Sequence, residues 1–339
     1  MYKERLENYK KIEGLRKSKL LVYVTGDRPG METQIHPEIL DYFIDHLDKF
    51  GKIKKVTLFL YTRGGNTLAA WSLTNLIRQF CDEFEVIIPS KAQSSGTLIS
   101  LGANTIVMTK QATLGPIDPS LNGPLNPQDP RIPNNPTARI PVSVESIKGY
   151  IALAQQDLKI NSPNELSNLL VHLSEKVHPL LLGDVYRSRT QIQMLAGKLL
   201  SKQMDNKEKI EKIIAFLCSD SGSHDYTIYR REARDELGLN IEKPDDAFYK
   251  IIKETYDDIK AELQLTKPFD PNAILGATNS AAYSARRVLI ESIDGGTDVY
   301  LSEGTLTKQL QNIMQPPPLP PIQNILINDQ RNFEGWRHE

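Results

Sequence analysis

Two short segments hold residues that could do chemistry. Ser94-Ser95-Gly96-Thr97 stands where an apolar run gives way to a stretch rich in small residues, Gly96, Ser100, Gly102 and Ala103. A hydroxyl at such a junction can cap a helix by accepting a backbone N–H. It can equally be a nucleophile raised on a tight turn. The second segment is Gly64-Gly65, again directly after an apolar run. Paired glycines make turns, but they also let backbone N–H groups approach a ligand unobstructed. One donor from Gly65 and one from the residue after a nucleophile would form an oxyanion hole, and losing one such donor typically costs ~3 kcal/mol of transition-state stabilisation.

Both segments need elements to hold them. The runs Lys19–Thr25, Val56–Thr62, Phe84–Pro89 and Asn104–Met108 read as buried strands. Helical spacing is present over 36–50 and 67–80, with a short helix over 95–103. Strand–helix alternation of this kind argues for an α/β fold with a mostly parallel sheet and helices on its faces. Ligands in such sheets sit beyond the carboxyl ends of the strands, where both candidate loops fall. From Gly115 to Pro141 the texture changes: Pro124, Pro127, Pro130, Pro133 and Pro136 come in steps of three, matching the polyproline II turn and predicting a stiff extended loop. A short strand at Ile140 to Val144 and a helix from Glu145 follow. The spacing predicts helices from Ser162, over 175–204, 207–218, 231–237 and 245–263, and a strand at Arg287–Ser292. Pro316-Pro-Pro-Leu-Pro-Pro321 reads as a rigid spacer or a docking motif.

Composition excludes several classes. The 339 residues are 40% hydrophobic and 24% charged, as in ordinary globular proteins. Lys plus Arg is 41 and Asp plus Glu is 42, a net charge of -1, so there is no basic excess pointing to nucleic acid. The first 19 residues carry charges throughout and no secretory apolar core. No run approaches the ~20 apolar residues of a membrane helix, so the expected location is cytoplasmic. Cys81 and Cys218 have no metal spacing and read as buried free thiols within helices. Walker, His-Glu-x-x-His and Cys-x-x-Cys motifs are absent, so no cofactor is expected.

Taken together, Leu58-Phe-Leu-Tyr-Thr-Arg-Gly-Gly-Asn66, Val86-Ile-Ile-Pro89, Gln93-Ser-Ser-Gly-Thr97 and Leu114-Gly-Pro-Ile-Asp-Pro119 resemble the Clp/crotonase superfamily of serine peptidases. Within it the chain is most similar to the serine dehydrogenase proteinase family, relatives of signal peptide peptidase A. Ser223-His-Asp-Tyr-Thr-Ile-Tyr-Arg-Arg-Glu-Ala233 with Leu237-Gly-Leu239 resembles the closing element of these peptidases, and Val288–Ser292 also fits. The resemblance implies Ser95 as nucleophile, because the family serine directly precedes glycine, and Gly65 and Gly96 as backbone donors. Clp-type peptidases carry histidine about where this chain has Asp118, and aspartate near where it has His224. A Ser95–His224–Asp118 triad with acid and base exchanged is physically allowed, since triads are defined by geometry rather than chain order. The alternative base is Lys148, since signal peptide peptidases use a Ser–Lys dyad with a similar spacing. His36, His46, His172, His178 and His338 lie outside the motifs.

The resemblance further implies an ATP-independent serine endopeptidase acting on peptide or protein substrates, assembled as a homo-oligomer, with membrane-protein substrates suggested by relatives alone. It divides the chain into an N-terminal helix (1–19), a Clp/crotonase-like peptidase domain (20–255, with the proline loop 116–141 and a helical region 160–219), a C-terminal extension (256–314) and a Pro-rich tail (315–339). Two other readings share the backbone donors or the fold: a crotonase-type acyl-CoA enzyme, and an oligomeric scaffold with a degenerate site.

Overall fold

The computed structural model describes residues 2–117, 120–121, 123–220, 223, 225–313 and 322–339. The first half alternates as the hydrophobic pattern requires: α1 (Tyr2–Arg16), β1 (Lys19–Thr25), α2 (Ile39–Phe50), β2 (Ile53–Tyr61), α3 (Thr67–Phe80) and β3 (Cys81–Ile88). Next come β4 (Lys91–Ala92), α4 (Ser95–Leu101), β5 (Thr105–Met108), β6 (Thr113–Leu114), β7 (Ser120–Leu121) and β8 (Val142–Ser143). A helical region follows, α5 (Val144–Ala152), α6 (Pro163–Lys176), α7 (Pro179–Leu200) and α8 (Lys207–Ala215). The chain closes with β9 (Ile228–Tyr229), β10 (Ile241–Glu242), α9 (Asp246–Glu262), α10 (Pro271–Leu275), β11 (Ser280–Ser292), β12 (Gly296–Ile313) and β13 (Ile322–His338).

The main sheet has eight strands in the order β10-β5-β3-β2-β1-β11-β12-β13. Its first five are mutually parallel, and β11, β12 and β13 add to them antiparallel. Parallel strands covered on both faces should be apolar on both, and β2 shows it. Val56, Leu58 and Leu60 enter the core under α2, α3 and α4, whereas Phe59 and Tyr61 enter the core under α1 and α9. Each such side chain, fully buried, stabilises the fold by roughly 1.5–3 kcal/mol.

Two ion networks pin α1 to the second face. Arg5 is buried and reaches Glu291, Asp258 and Glu262 together. Arg16 bridges Glu85 and Glu242.

Several expectations are revised. The single helix over 175–204 is broken at Val177–His178, because Pro179 starts a new helix and cannot continue the old one. Cys81 is the first residue of β3 rather than helical, though both thiols are buried. The proline loop is not extended. It folds back through successive turns, Asn126→Gly123, Ile132→Asp129, Asn135→Ile132 and Ala138→Asn135, and closes by Ile140 N–H on Pro127 O at 2.9 Å. Asn126 Nδ2 donates to Leu121 O and Ile140 O, fastening its base. The short helix over 231–237 forms as a π-helical turn at Glu232–Glu236, stopped where Gly238 turns at φ 67°. The prolines at 316–318, 320 and 321 lie outside the described residues, but 322–338 is no tail: it is β13, paired along β12.

Candidate active site

The loop after β2 is built around two glycines in backbone conformations closed to other residues. Gly64 has φ 106° and Gly65 φ 145°. The stretch lies against Ile35, whose N–H donates to Gly64 O at 2.9 Å and whose carbonyl accepts Asn66 N–H at 2.8 Å. An ideal Cβ on Gly65 would stand 2.4 Å from Ile35 N, so glycine is required for the approach as well as the φ. Asn66 then caps α3 through its side chain, accepting from Ala69 N–H at 2.8 Å.

The loop after β4 faces it. Ser94 has φ 52° and ψ −115° and makes no side-chain cap to α4. That is a strained left-handed conformation for a serine, of the sort held at functional turns. Ser94 is half-buried, and a Cβ on Gly64 would lie 2.7 Å from Ser94 Cβ and 3.2 Å from its Oγ. The serine hydroxyl therefore sits directly over the glycine pair. Gly96 lets the turn close onto the end of β2, because a Cβ there would strike Thr62 Cγ2 at 2.4 Å.

Ser95 is placed differently. It is 3% exposed, and its Oγ donates to Gly65 O at 2.7 Å. Gly96 N–H donates to Gln93 O at 2.8 Å inside the turn. Among the described residues, neither Gly65 N–H nor Ser95 N–H has an acceptor; the latter is the first N–H of α4, which no helical carbonyl can reach. Sequence reasoning could not separate two adjacent serines by type. The usable signal was that everything from 95 to 101 is a buried helix, which turns Ser95 inward.

Asp118 and His224 lie outside the described residues. The segments that lead to them are described. A small sheet, β4-β6-β9, pairs β4 parallel to β6 and β6 antiparallel to β9. Consequently the chain leaves β4 toward Ser94, leaves β6 toward 118, and enters β9 from 224, all at one end of that sheet. Thr97 Oγ1 locks this end, accepting Gly115 N–H at 3.0 Å with Gly115 O and Ala92 O also within hydrogen-bond distance. Lys148 is carried by the helical region that follows β8. It lies on α5, half-buried, lining an apolar cavity of 400 Å³ with Ile147, Leu173, Val185 and Tyr186.

A Ser–His–Asp constellation exists where no motif pointed. His46 Nδ1 is 2.6 Å from Ser292 Oγ, and His46 Nε2 is 3.0 Å from Asp298 Oδ2. All three side chains are buried, and Ser292 Oγ already accepts Gly295 N–H at 2.8 Å. No peptide can reach that serine; the cluster fastens the β11–β12 turn to α2. Burial raises the Asp298 pKa, and the hydrogen bonds and charges of His46 and His338 more than reverse it, leaving the carboxyl below its ordinary value. Among the described residues, no cluster of three or more His, Cys, Asp or Glu could hold a metal ion, and no helix is long and apolar enough to cross a membrane.

Two uncharacterised proteins of Methanocaldococcus jannaschii are similar to the chain. One is 30% identical over 192 residues, 56% of this chain and 54% of that protein. The other is 26% identical over 186 residues, 55% and 51% respectively. The match thus spans about half the length of these curated relatives. Among solved structures, a serine-to-alanine mutant of a membrane-bound stomatin-specific protease aligns over 73% of this chain and 86% of that one, at 14% identity and a TM-score of 0.37. ClpP1 from Listeria monocytogenes aligns over 70% and 98%, at 15% identity and a TM-score of 0.36. Residues 47–148, which carry the Gly64–Gly65 loop, the Ser94–Ser95 turn and the small-sheet strands β4 and β6, match the ClpP-like SDH-type serine proteinase family.

Proposed function

We propose that the chain is a serine peptidase in which Ser94 attacks the peptide carbonyl and the N–H groups of Gly65 and Ser95 hold the oxyanion. The sequence pointed one residue later, to Ser95 as nucleophile and Gly96 as donor. The observation that carries the change is the turn itself. Ser94 occupies its strained apex with an accessible hydroxyl over the glycine pair, whereas Ser95 is buried and donates to Gly65 O. Shifting the nucleophile back one position also shifts the second donor from Gly96, whose N–H serves Gln93, to the free first N–H of α4.

The proton goes to His224, oriented by Asp118. Support for this pair is that β4, β6 and β9 deliver all three segments to one end of the small sheet. An imidazole with an ordinary pKa of ~6.5 can take the Ser94 proton and return it to the leaving amine. As the Oγ–C bond forms, the carbonyl oxygen becomes an oxyanion between the two N–H groups. The C–N bond then breaks to leave an acyl-Ser94, which water hydrolyses. The chain works without ATP on peptide segments and assembles with copies of itself; exposed Leu170, Val171, Leu180, Tyr186 and Met194 on α6 and α7 support the self-association.

The test is fluorophosphonate labelling with the adduct mapped by tandem mass spectrometry. The expected adduct is on Ser94, lost in Ser94→Ala and kept in Ser95→Ala. An adduct on Ser95 reinstates the sequence reading, and no adduct supports an acyl-CoA enzyme or a degenerate scaffold instead. Comparing acylation rates of His224→Ala and Lys148→Ala decides the base.

A further inference from the structure

A cleft of 740 Å³ opens beside Gly65, lined by Gly65 and Asn66 together with residues of β11, β12 and β13. Its floor holds Tyr23, which is 0% exposed and stands edge-on to Phe43 at 5.3 Å, and whose hydroxyl has no partner among the described residues. A buried hydroxyl left without a hydrogen-bond partner is destabilising, so its presence there asks for a ligand group. Trp336 forms part of the wall, stacked on Tyr42 at 4.5 Å and edge-on to Tyr300 at 5.6 Å, and its buried Nε1–H is likewise unmatched among the described residues.

The charge of the lining is acidic. Arg287 is already neutralised, its Nη1 lying 2.6 Å from Glu334 while Nη2 donates to Glu32 O. Glu38, its side chain 45% exposed, has only His36 beside it at 3.6 Å among the charged groups described. Burial raises both the Tyr23 and the Tyr300 phenol; Glu38 raises Tyr23 further, and Glu334 followed by Glu38 does so for Tyr300.

We propose that this cleft is a subsite for a Lys or Arg residue of a bound peptide, the cation meeting Glu38, the Tyr23 oxygen and the Trp336 ring while Trp336 Nε1–H donates to the peptide carbonyl; the Tyr300 ring already carries the Arg287 guanidinium, 5.9 Å from its centroid. Each unmatched group then finds its complement. The cation supplies N–H donors to Glu38 and Tyr23, and the indole favours it electrostatically. This rests on the peptidase reading for one point alone: Gly65 in the cleft's lining places the basic residue next to the scissile bond.

The experiment uses the full chain carrying Trp71→Phe, so that Trp336 is the sole tryptophan. Hexapeptides differing at one position, Lys, norleucine or Glu, are titrated against its fluorescence. The Lys peptide should bind about tenfold more tightly than the others. Glu38→Gln should remove the preference, Glu38→Lys should turn it toward the Glu peptide, and Tyr23→Phe should weaken the Lys peptide selectively. Equal affinities, or no emission change with any peptide, overturn the subsite. Selective Lys binding without fluorophosphonate labelling at Ser94 would leave the cleft standing and sink the peptidase reading instead.

Discussion

Replacing Gly65 with alanine is the sharpest test of the oxyanion geometry. The new Cβ would lie 2.4 Å from Ile35 N, 2.5 Å from Ile35 O and 2.9 Å from Gln34 Cβ. The first two are backbone atoms that cannot rotate away. Ordinary contact begins at 3.4 Å, so the strands must separate by about 1 Å, and misplacement on that scale costs roughly 100-fold in rate. Removing a donor outright costs about 100–1,000-fold, which sets the upper end. The φ of 145° adds backbone strain of about 1–3 kcal/mol. Gly65→Ala should therefore fold with reduced stability and be acylated by a fluorophosphonate some 100- to 1,000-fold more slowly. Gly115→Ala is the control, since its Cβ would meet Gln93 at an ordinary 3.4 Å, and its rate should stay near wild type. Stopped-flow or gel-based acylation kinetics, with urea melts alongside, read both effects. A Gly65→Ala protein acylated at the wild-type rate would refute the assignment of this N–H to the oxyanion.

Three further outcomes follow from the same contacts. Ser95→Ala removes one hydrogen bond to Gly65 O and should cost about 1 kcal/mol in urea denaturation while labelling persists; complete loss of labelling would return the nucleophile to Ser95. Arg5→Ala leaves the fully buried Glu291 without its cation, while Glu262 keeps only Arg286, and should destabilise by about 3–5 kcal/mol; a cost under about 1 kcal/mol would show the network to be dispensable. The Asp298 carboxyl titrates below its ordinary value when folded, so its contribution is complete above about pH 4 and lost as pH falls through the lower folded value. Asp298→Asn should thus be less stable than wild type at pH 7, with the Asp298 contribution to the gap closing in that acidic range; a gap unchanged down to the acid transition would contradict the sign.

Apolar runs and helical spacing determined the α/β alternation from β1 to β5, apart from the two-residue β4, because a strand buried on both faces and a one-sided helix leave distinct periodicities. The glycine pair and the serine turn were legible too, as residue types that only a sharp turn between strand and helix would require together. Which of two neighbouring serines is presented to solvent was not legible. That depends on a φ of 52° at Ser94 and on the burial of α4 against Thr62 and its neighbours, and local sequence does not encode it. The same limit explains β13, whose partner β12 is set by pairing across a hairpin. It explains the proline loop as well, where turn hydrogen bonds override the intrinsic preference for extension. Finally, His46, Ser292 and Asp298, scattered over some 250 positions, meet in triad-like geometry that no motif announced. Only the tertiary structure decides that Ser292 is sealed and Ser94 is open, because solvent access is a property of packing.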